Sequence, residues 1–512
     1  MEPLTIFLIL LSLCFSILYY FHQTLNVFKR AGIVHVKPAP IFGNMAPIIF
    51  RQKSMVEMVQ SVYNLCPESK YAGFYDFANP VILVRDPELI TLIAVRNFDS
   101  FCDHRGFIDE VTDPLIGKNL FALRGQAWRQ MRRLLSPAFS SAKMKTMYEL
   151  VYRCAENFVD YLADEAEAEE ATNMKDAFAR YANDVIASCA FGLTVDSMRY
   201  PNNEFFVLGG EATNLDGILS TKFFLGKNFP WLTKLLGLRM VSKRAADFFQ
   251  DAIDTAIKTR EEKGITRPDM IQLMMESRDK NDLSKYLSIE DMTSQAFVFF
   301  FAGFDTSSTF LSFAVHELAV NPDIQEKLRA EITMVAKDHD GKPSYEALKK
   351  MEYMEAVVNE TLRLYPQAPF LDRVCVKKFQ LPPALPGGKP FTITPGMTVW
   401  FSSFSLHRDP KYFPEPTKFR PSRFLEGAVN SSVYMPFGVG PRMCIGNRFA
   451  LMEVKVVLFN LIRCCVLEPC SRTEIPLKFN KKSFAMMAHG GFWIKLRKIQ
   501  QPSENSSCNS PI

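Results

Sequence analysis

The 512-residue chain has no block of Lys or Arg: its 60 basic and 55 acidic side chains are interspersed, leaving a formal charge of only +5. A nucleic-acid surface needs a basic stripe or cluster, so nucleic acid is not an expected partner. Eleven cysteines are present, but they form neither a disulfide framework nor a paired Cys-x-x-Cys zinc spacing. The one cluster, Cys464, Cys465 and Cys470, follows an apolar stretch and reads as reduced thiols, which fits a reducing, cytosol-facing environment. No internal repeat is visible. No small-x-small cleavage site follows the first apolar run, so removal of that run is not expected.

That run, Leu4 to Phe21, is uncharged, rich in Leu, Ile, Phe and Tyr, and about as long as a bilayer core requires. Lys29, Arg30 and Lys37 follow it and put the C-terminal side in the cytosol by the positive-inside rule. Residues 1–28 therefore read as a membrane anchor, a single N-terminal transmembrane helix. Residues 29–44 read as a basic, proline-bearing hinge, stiff and extended because each proline restricts itself and its predecessor. Residues 45–499 read as one large folded domain, and the Ser/Asn-rich 500–512 as a disordered tail. Within the domain, Tyr71–Phe74 and Val81–Val84 read as strands joined by a turn at Ala78-Asn79-Pro80. Asp86-Pro87 opens a helix. From Trp128 helical periodicity dominates, and strand-like pieces return at Phe391–Trp400 and Phe492–Leu496. The fold class is mainly α with a minor β portion.

Phe437-Gly438-Val439-Gly440-Pro441-Arg442-Met443-Cys444-Ile445-Gly446 places one cysteine in a Gly/Pro-rich loop directly before a helical stretch. Phe449, Met452, Val456 and Phe459 fall on one face of that stretch. A thiolate there is favoured by free N–H groups and the helix dipole. Glycines let the backbone approach something flat and large, and Arg442 supplies charge for an acidic group. These are the parts of a socket for haem iron with a cysteine axial ligand.

The spacing Phe-x-x-Gly-x-Arg-x-Cys-x-Gly resembles the cytochrome P450 family, the haem-thiolate monooxygenases, with Cys444 at the iron ligand and Phe437 and Arg442 in the haem loop. Four further stretches match in order. In Phe297–Phe310, the run Ala302-Gly303-Phe304-Asp305-Thr306 carries small residues that admit a flat cofactor, and an acid and an alcohol that can relay protons. By resemblance this is the oxygen-activating helix, with Asp305 and Thr306 as the catalytic relay and Ala302 against the cofactor. Glu360 and Arg363, three apart on a helix beginning near Tyr345, can pair. The resemblance adds Arg423 from Pro421-Ser422-Arg423-Phe424, where Ser422 replaces a glutamate. Trp128 and Arg132, at i and i+4, can both bond a propionate, and Arg373 is a further propionate candidate by resemblance. Ile218–Val241 alternates apolar and basic side chains as at a membrane interface, and by resemblance covers the substrate entrance.

The resemblance thus implies a cytochrome P450 fold behind the anchor, with 45–499 as the haem-thiolate catalytic domain. It implies haem b, iron protoporphyrin IX, and electrons from NADPH through the FAD and FMN of a membrane-bound cytochrome reductase, with a b-type cytochrome as a second donor. The expected site is the cytoplasmic face of the endoplasmic reticulum membrane. The expected substrates are apolar small molecules, xenobiotics or endogenous lipophiles, and the texture is most like insect members of the animal detoxification clan. The expected pocket comprises Phe107, Ile108, Leu115, Phe300, Phe304, Phe370 and Met486, apolar to exclude water. Two alternatives stay open: a haem-thiolate isomerase or dehydratase needing no reductase, against which Asp305-Thr306 argues, and a non-catalytic haem-binding membrane protein.

Overall fold

Apolar side chains at three- and four-residue spacing make most of the chain helical. The structure is a computed structural model. It describes residues 3–106, 110–166, 171–214, 218–267, 269–278, 287–427, 429–483 and 485–499. The pocket candidates Phe107 and Ile108 and the tail 500–512 lie outside the described residues. The elements that position the site are, in chain order, α1 (Pro3–Thr24), β1 (Tyr71–Asp76), β2 (Asn79–Val84), α2 (Gly125–Leu135), α3 (Ser141–Glu165), α4 (Met174–Ile186), α5 (Ile218–Asn228), α6 (Ile289–Val320), α7 (Glu352–Leu364), β3 (Leu371–Val374), β4 (Thr398–Phe401) and α8 (Asn447–Cys464).

α6 is the axis of the molecule. Its 32 residues span about 48 Å at 1.5 Å per residue. It starts at a reciprocal cap: Asp291 N donates to Ser288 Oγ at 3.0 Å, and Ser288 N donates to Asp291 Oδ2 at 3.1 Å. From Ser307 to Ala319 every residue is buried. Met144, Val151 and Phe158 of α3 join Val456, Phe459 and Ile462 of α8 in the apolar cluster around it. By length and hydropathy α6 is the helix among the described residues that could cross a membrane, yet most of it is buried in this cluster. α1 forms over the N-terminal apolar run, with Leu4, Phe7, Leu8 and Phe15 exposed.

A second apolar cluster surrounds a four-stranded sheet of order β1-β2-β4-β3. β2 pairs with β1 antiparallel and with β4 in parallel, and β3 pairs with β4 antiparallel. The hairpin turn is tighter than the sequence suggested: Asp76 faces Asn79, so the turn is Phe77-Ala78, with Phe77 at φ +55°. Pro80 lies inside β2 opposite Tyr75. Its missing N–H is tolerated because the parallel ladder to β4 begins only at Val81.

Two further expectations change. The hinge is docked on the sheet and turns sharply instead of running extended. Asn44 N donates to Tyr75 O at 2.8 Å, Tyr75 N donates to Asn44 Oδ1 at 2.7 Å, and Gly43 takes φ +58° against the Tyr75 and Phe77 carbonyls. The packed body reaches back to Phe28, fully buried beside Tyr75 and Phe391. The helix expected from Tyr345 breaks after Lys349, and α7 starts afresh at Glu352. The cause is a cap from another helix: Tyr353 N and Met354 N both donate to the Glu331 carboxylate at 2.8 Å.

Candidate active site

Behind the Cys444 loop, Glu360, Arg363 and Arg423 meet as the sequence suggested. Arg363 donates from Nε and Nη2 to Glu360 at 2.7 and 2.9 Å, and Arg423 Nε donates to Glu360 Oε1 at 3.0 Å. This is no solvent salt bridge, since all three side chains are buried. Arg363 also donates to the carbonyls of His407, Pro416 and Lys418, and Arg423 to those of Pro414 and Glu415. One helix end is thereby fastened to the loops around residues 407–423. Ser422 lies at the surface and bonds Glu426 at 2.8 Å, outside this network. His407 extends it: its Nε2 accepts from Met435 N at 3.0 Å, just before Phe437. Burial pulls the His407 imidazole down to about 3, so it is the neutral acceptor this bond requires.

Around the loop the structure gathers Cys444, Arg442, Phe437, Trp128, Arg132 and Arg373. Cys444 N donates to Phe437 O at 2.9 Å, closing the loop on itself. Gly440 has φ +73°, and a Cβ there would collide with the Ala94 carbonyl; its smallness serves backbone packing within the protein. Arg442 Nε donates to Cys102 O at 2.8 Å and Nη2 to Leu123 O at 2.9 Å, while its guanidinium lies 4.0 Å over the Trp128 ring. Arg373 Nη2 donates to Val439 O at 3.2 Å and ties β3 to the loop. Burial pulls both guanidiniums down to about 10. Cys444 is exposed at the loop surface, where the Gly446 N–H and the Arg132 charge both favour the anionic sulfur. Arg442 Nη1 and Arg373 Nε are buried and find no hydrogen-bond partner among the described residues.

α6 carries an accessible stripe in mid-helix, Phe299, Ala302 and Thr306, while Ser307–Ala319 below it is closed. Thr306 Oγ1 donates to Ala302 O at 2.5 Å. Phe139 links this stripe to the loop: its ring is 5.2 Å from that of Phe299 and lies against Gly446. Asp305 points elsewhere, to Lys175 of α4, whose ammonium is 2.8 Å from Asp305 Oδ1 and also bonds Ser308 and Thr309. Gly303 is not against a cofactor: a Cβ there would meet Ile186 Cδ1 at 2.8 Å, so its smallness admits α4.

The pocket candidates separate. Phe300 is fully buried, and its ring packs with Phe191, Phe205 and Phe249. It lies two residues from Ala302, about 200° around the helix, so the structure assigns it to the aromatic core away from Thr306. Phe304, mostly buried, stacks on Phe300 at 5.3 Å and joins the same side. Leu115 is buried under α6, with its carbonyl accepting from Ser294 Oγ at 3.0 Å. Phe370 stacks on Trp400 of β4 at 4.2 Å. Met486 is buried in the helical cluster.

Sequence reasoning missed a buried acid beside the stripe. Glu453 of α8 accepts from Ser307 Oγ at 2.7 Å, and burial pushes its carboxyl up to about 8. Its signal was present as a charge next to Met452 on the apolar face of α8, followed at i+7 by the buried Asn460. For Lys175 no local signal exists, because its partner is 130 residues away.

A helical body, a cysteine loop ahead of a long helix, a buried Glu-Arg-Arg lock and an acid–alcohol pair on the central helix are the features that the sequence expectation of a haem-thiolate oxidoreductase requires. The cytochrome P450 family model matches residues 35–494. The chain is 43% identical to cytochrome P450 9e2 of Blattella germanica, over 92% of this chain and 94% of that one. It is 36% identical to cytochrome P450 6j1 of the same insect, over 97% and 98%, and 36% identical to cytochrome P450 6a8 of Drosophila melanogaster, over 96% and 99%. The chain belongs to the cytochrome P450 family and is a monooxygenase of that family. Membership implies haem iron, and the donors present fit it: two buried guanidinium nitrogens without protein acceptors flank the one loop, as an anionic cofactor edge requires.

Proposed function

We propose that Cys444 is the axial ligand of haem b and that the enzyme oxygenates apolar small molecules, xenobiotics or endogenous lipophiles. The observation that carries this is the pairing of Cys444 with the partnerless Arg442 Nη1 and Arg373 Nε around one loop. Held there, the haem iron supplies dioxygen chemistry, in which one oxygen atom enters the substrate and the other leaves as water, consuming two electrons and two protons. The protein's part is binding, orientation and proton control. Gly446 N–H and Arg132 favour the anionic sulfur, while Arg442, Arg373 and Trp128 hold the carboxylate edge, and Phe437 packs the loop. Ala302 leaves room on α6, and the Thr306 hydroxyl, anchored on Ala302 O, keeps its oxygen free to accept and pass a proton. Asp305 is turned to Lys175 of α4, so it joins the relay only when that ion pair opens. Leu115, Phe370 and Met486, with Phe107 and Ile108 by resemblance, line or back the apolar pocket and exclude water, while Phe304 belongs with Phe300 to the aromatic core behind it.

Electrons come from NADPH through the FAD and FMN of a cytochrome reductase, with a b-type cytochrome as auxiliary donor. α1 anchors the enzyme in the endoplasmic reticulum membrane, with the catalytic domain on its cytoplasmic face. Exposed apolar side chains in α1 and at Trp231, Leu235 and Leu236 support two contacts with lipid, one through the N-terminal helix and one at the substrate entrance. The test is reconstitution with reductase, NADPH and isotopically labelled dioxygen against a panel of apolar compounds. One labelled oxygen per product is expected. Product without NADPH would replace this reading with an isomerase or dehydratase, and absence of any oxygen uptake would remove the catalytic role.

A further inference from the structure

We propose that Asp76, at the end of β1, is the latch that holds the cover of the substrate entrance against the sheet and so sets which ligands pass and how fast. The proposal rests on the reading above that residues 218–241 cover the entrance to the pocket. Asp76 is fully buried. Its Oδ2 accepts from Arg105 Nη1 at 2.9 Å and lies 2.8 Å from the Lys227 ammonium. The two cations come from different segments, Arg105 from the loop after Phe101 and Lys227 from the last turn of α5. Arg105 also grips that helix end, donating from Nη2 to Lys227 O at 3.1 Å and to Asn228 Oδ1 at 3.0 Å. A cation on the terminal carbonyls of a helix is favourable in its own right. Asn79 across the hairpin reaches the same Asn228 Oδ1 at 3.3 Å, and Phe77 in the turn meets Phe229 edge-on at 6.2 Å.

A single buried carboxylate therefore lies where three pieces meet, the hairpin end, the loop after Phe101 and the entrance cover, and supplies the charge among contacts that are otherwise neutral or helix-terminal. Lys227 also sits 5.1 Å over Trp400, which stacks on the pocket candidate Phe370 at 4.2 Å and meets Phe74 at 5.0 Å. Opening the cover must separate charge-assisted bonds out of solvent, where they are strong. Removing the carboxylate leaves Arg105 and Lys227 facing each other, so the latch reverses from attraction to repulsion. The strand pairing of β1 and β2 and the helix bonds of α5 do not use the Asp76 side chain, so the cover is released without dismantling either element. Oδ1 of Asp76 is buried and has no partner among the described residues, so the clasp holds by one oxygen and is poised to open.

The test uses the full-length, haem-loaded enzyme in lipid nanodiscs, unaltered and as Asp76→Asn, with Lys227→Met as an independent break from the other side. Hydrogen exchange is read in 218–241 and in the α3 and α8 core, and stopped-flow spectra follow binding and release of a bulky apolar azole. Both variants should exchange faster in 218–241 alone and should bind and release the azole at least about tenfold faster, with a smaller change in affinity. Unchanged exchange in 218–241, or faster exchange throughout the molecule, overturns the latch. Failure of the underlying reading looks different: 218–241 would exchange faster in both variants while the azole rates stayed those of the unaltered enzyme.

Discussion

Two pairs of buried arginines differ in what their nitrogens meet: Arg363 and Arg423 hold the loops around residues 407–418, and Arg373 and Arg442 the loop around Cys444. Arg363 engages all three of its nitrogens, with five hydrogen bonds to Glu360, His407, Pro416 and Lys418. Arg423 likewise engages all three with Glu360, Pro414 and Glu415. Arg373 and Arg442 are as deeply buried but keep Nε and Nη1 without a protein acceptor. A buried donor left unpaired costs about 1–3 kcal/mol. Arg85, Arg420 and Arg463 also keep a buried Nε without a partner among the described residues, so what marks Arg373 and Arg442 is that both bond around the Cys444 loop. The first pair is a finished lock, and the second has donors left for the acceptors of the proposed haem edge.

The largest effect should come from breaking the lock. Glu360→Gln removes the charge that two buried guanidiniums share, a loss of about 3–5 kcal/mol, seen as a steep fall in thermal midpoint or in folded yield. A midpoint within a degree or two of the unaltered protein would mean the lock is idle.

Glu453 sharpens the contrast, because it is a buried acid with a hydroxyl partner and no cation. Its folded pKa is raised from 4.5 to about 8, so between those values the native state binds more protons than the unfolded state. Its stabilising share is complete below about 4.5 and is lost as pH rises through about 8, by up to about 1.4 kcal/mol per pH unit. Glu453→Gln should flatten that decline in denaturant titrations run from pH 5 to pH 8.5; an unchanged slope would assign the decline elsewhere.

Arg442→Leu should act on the ligand more than on the fold. Loss of a charged hydrogen bond of about 1.5–3 kcal/mol predicts haem transfer to a scavenging protein about tenfold to a hundredfold faster. A drop in fold stability as large as that of Glu360→Gln would erase the distinction between the pairs. The smallest effect on structure belongs to Thr306→Ala on α6. Haem should be retained, while hydrogen peroxide rises and product per NADPH falls about tenfold, since the hydroxyl that passes protons is gone. Unchanged coupling would remove Thr306 from the relay.

The loop was legible as one short motif from Phe437 to Cys444, whereas the spacing of Glu360 and Arg363 allowed only a pair and the lock with Arg423 came through the family resemblance. The helix after Cys444 and the strands of the sheet follow from local periodicity. What stayed hidden depends on partners distant in sequence. The Glu331 cap that splits the helix before Glu360, the Lys175 partner of Asp305 and the Asp76 clasp all join residues no pattern relates. Gly303 and Gly440 were legible as close approaches, but only the fold shows that what approaches is Ile186 and Ala94. The resemblance puts Phe300 in the pocket, and the 100° step of the helix sends it to the aromatic core instead.

The central claim is that the loop presents Cys444 to iron while Arg373 and Arg442 hold the cofactor's edge. The direct measurement is the carbon monoxide difference spectrum of the reduced protein, recorded for the unaltered enzyme and for Cys444→Ala, with circular dichroism as a control for folding. A thiolate-type band in the first and its complete loss in the second, at unchanged helicity, is the predicted result. A thiolate-type band that survives in Cys444→Ala would contradict the account.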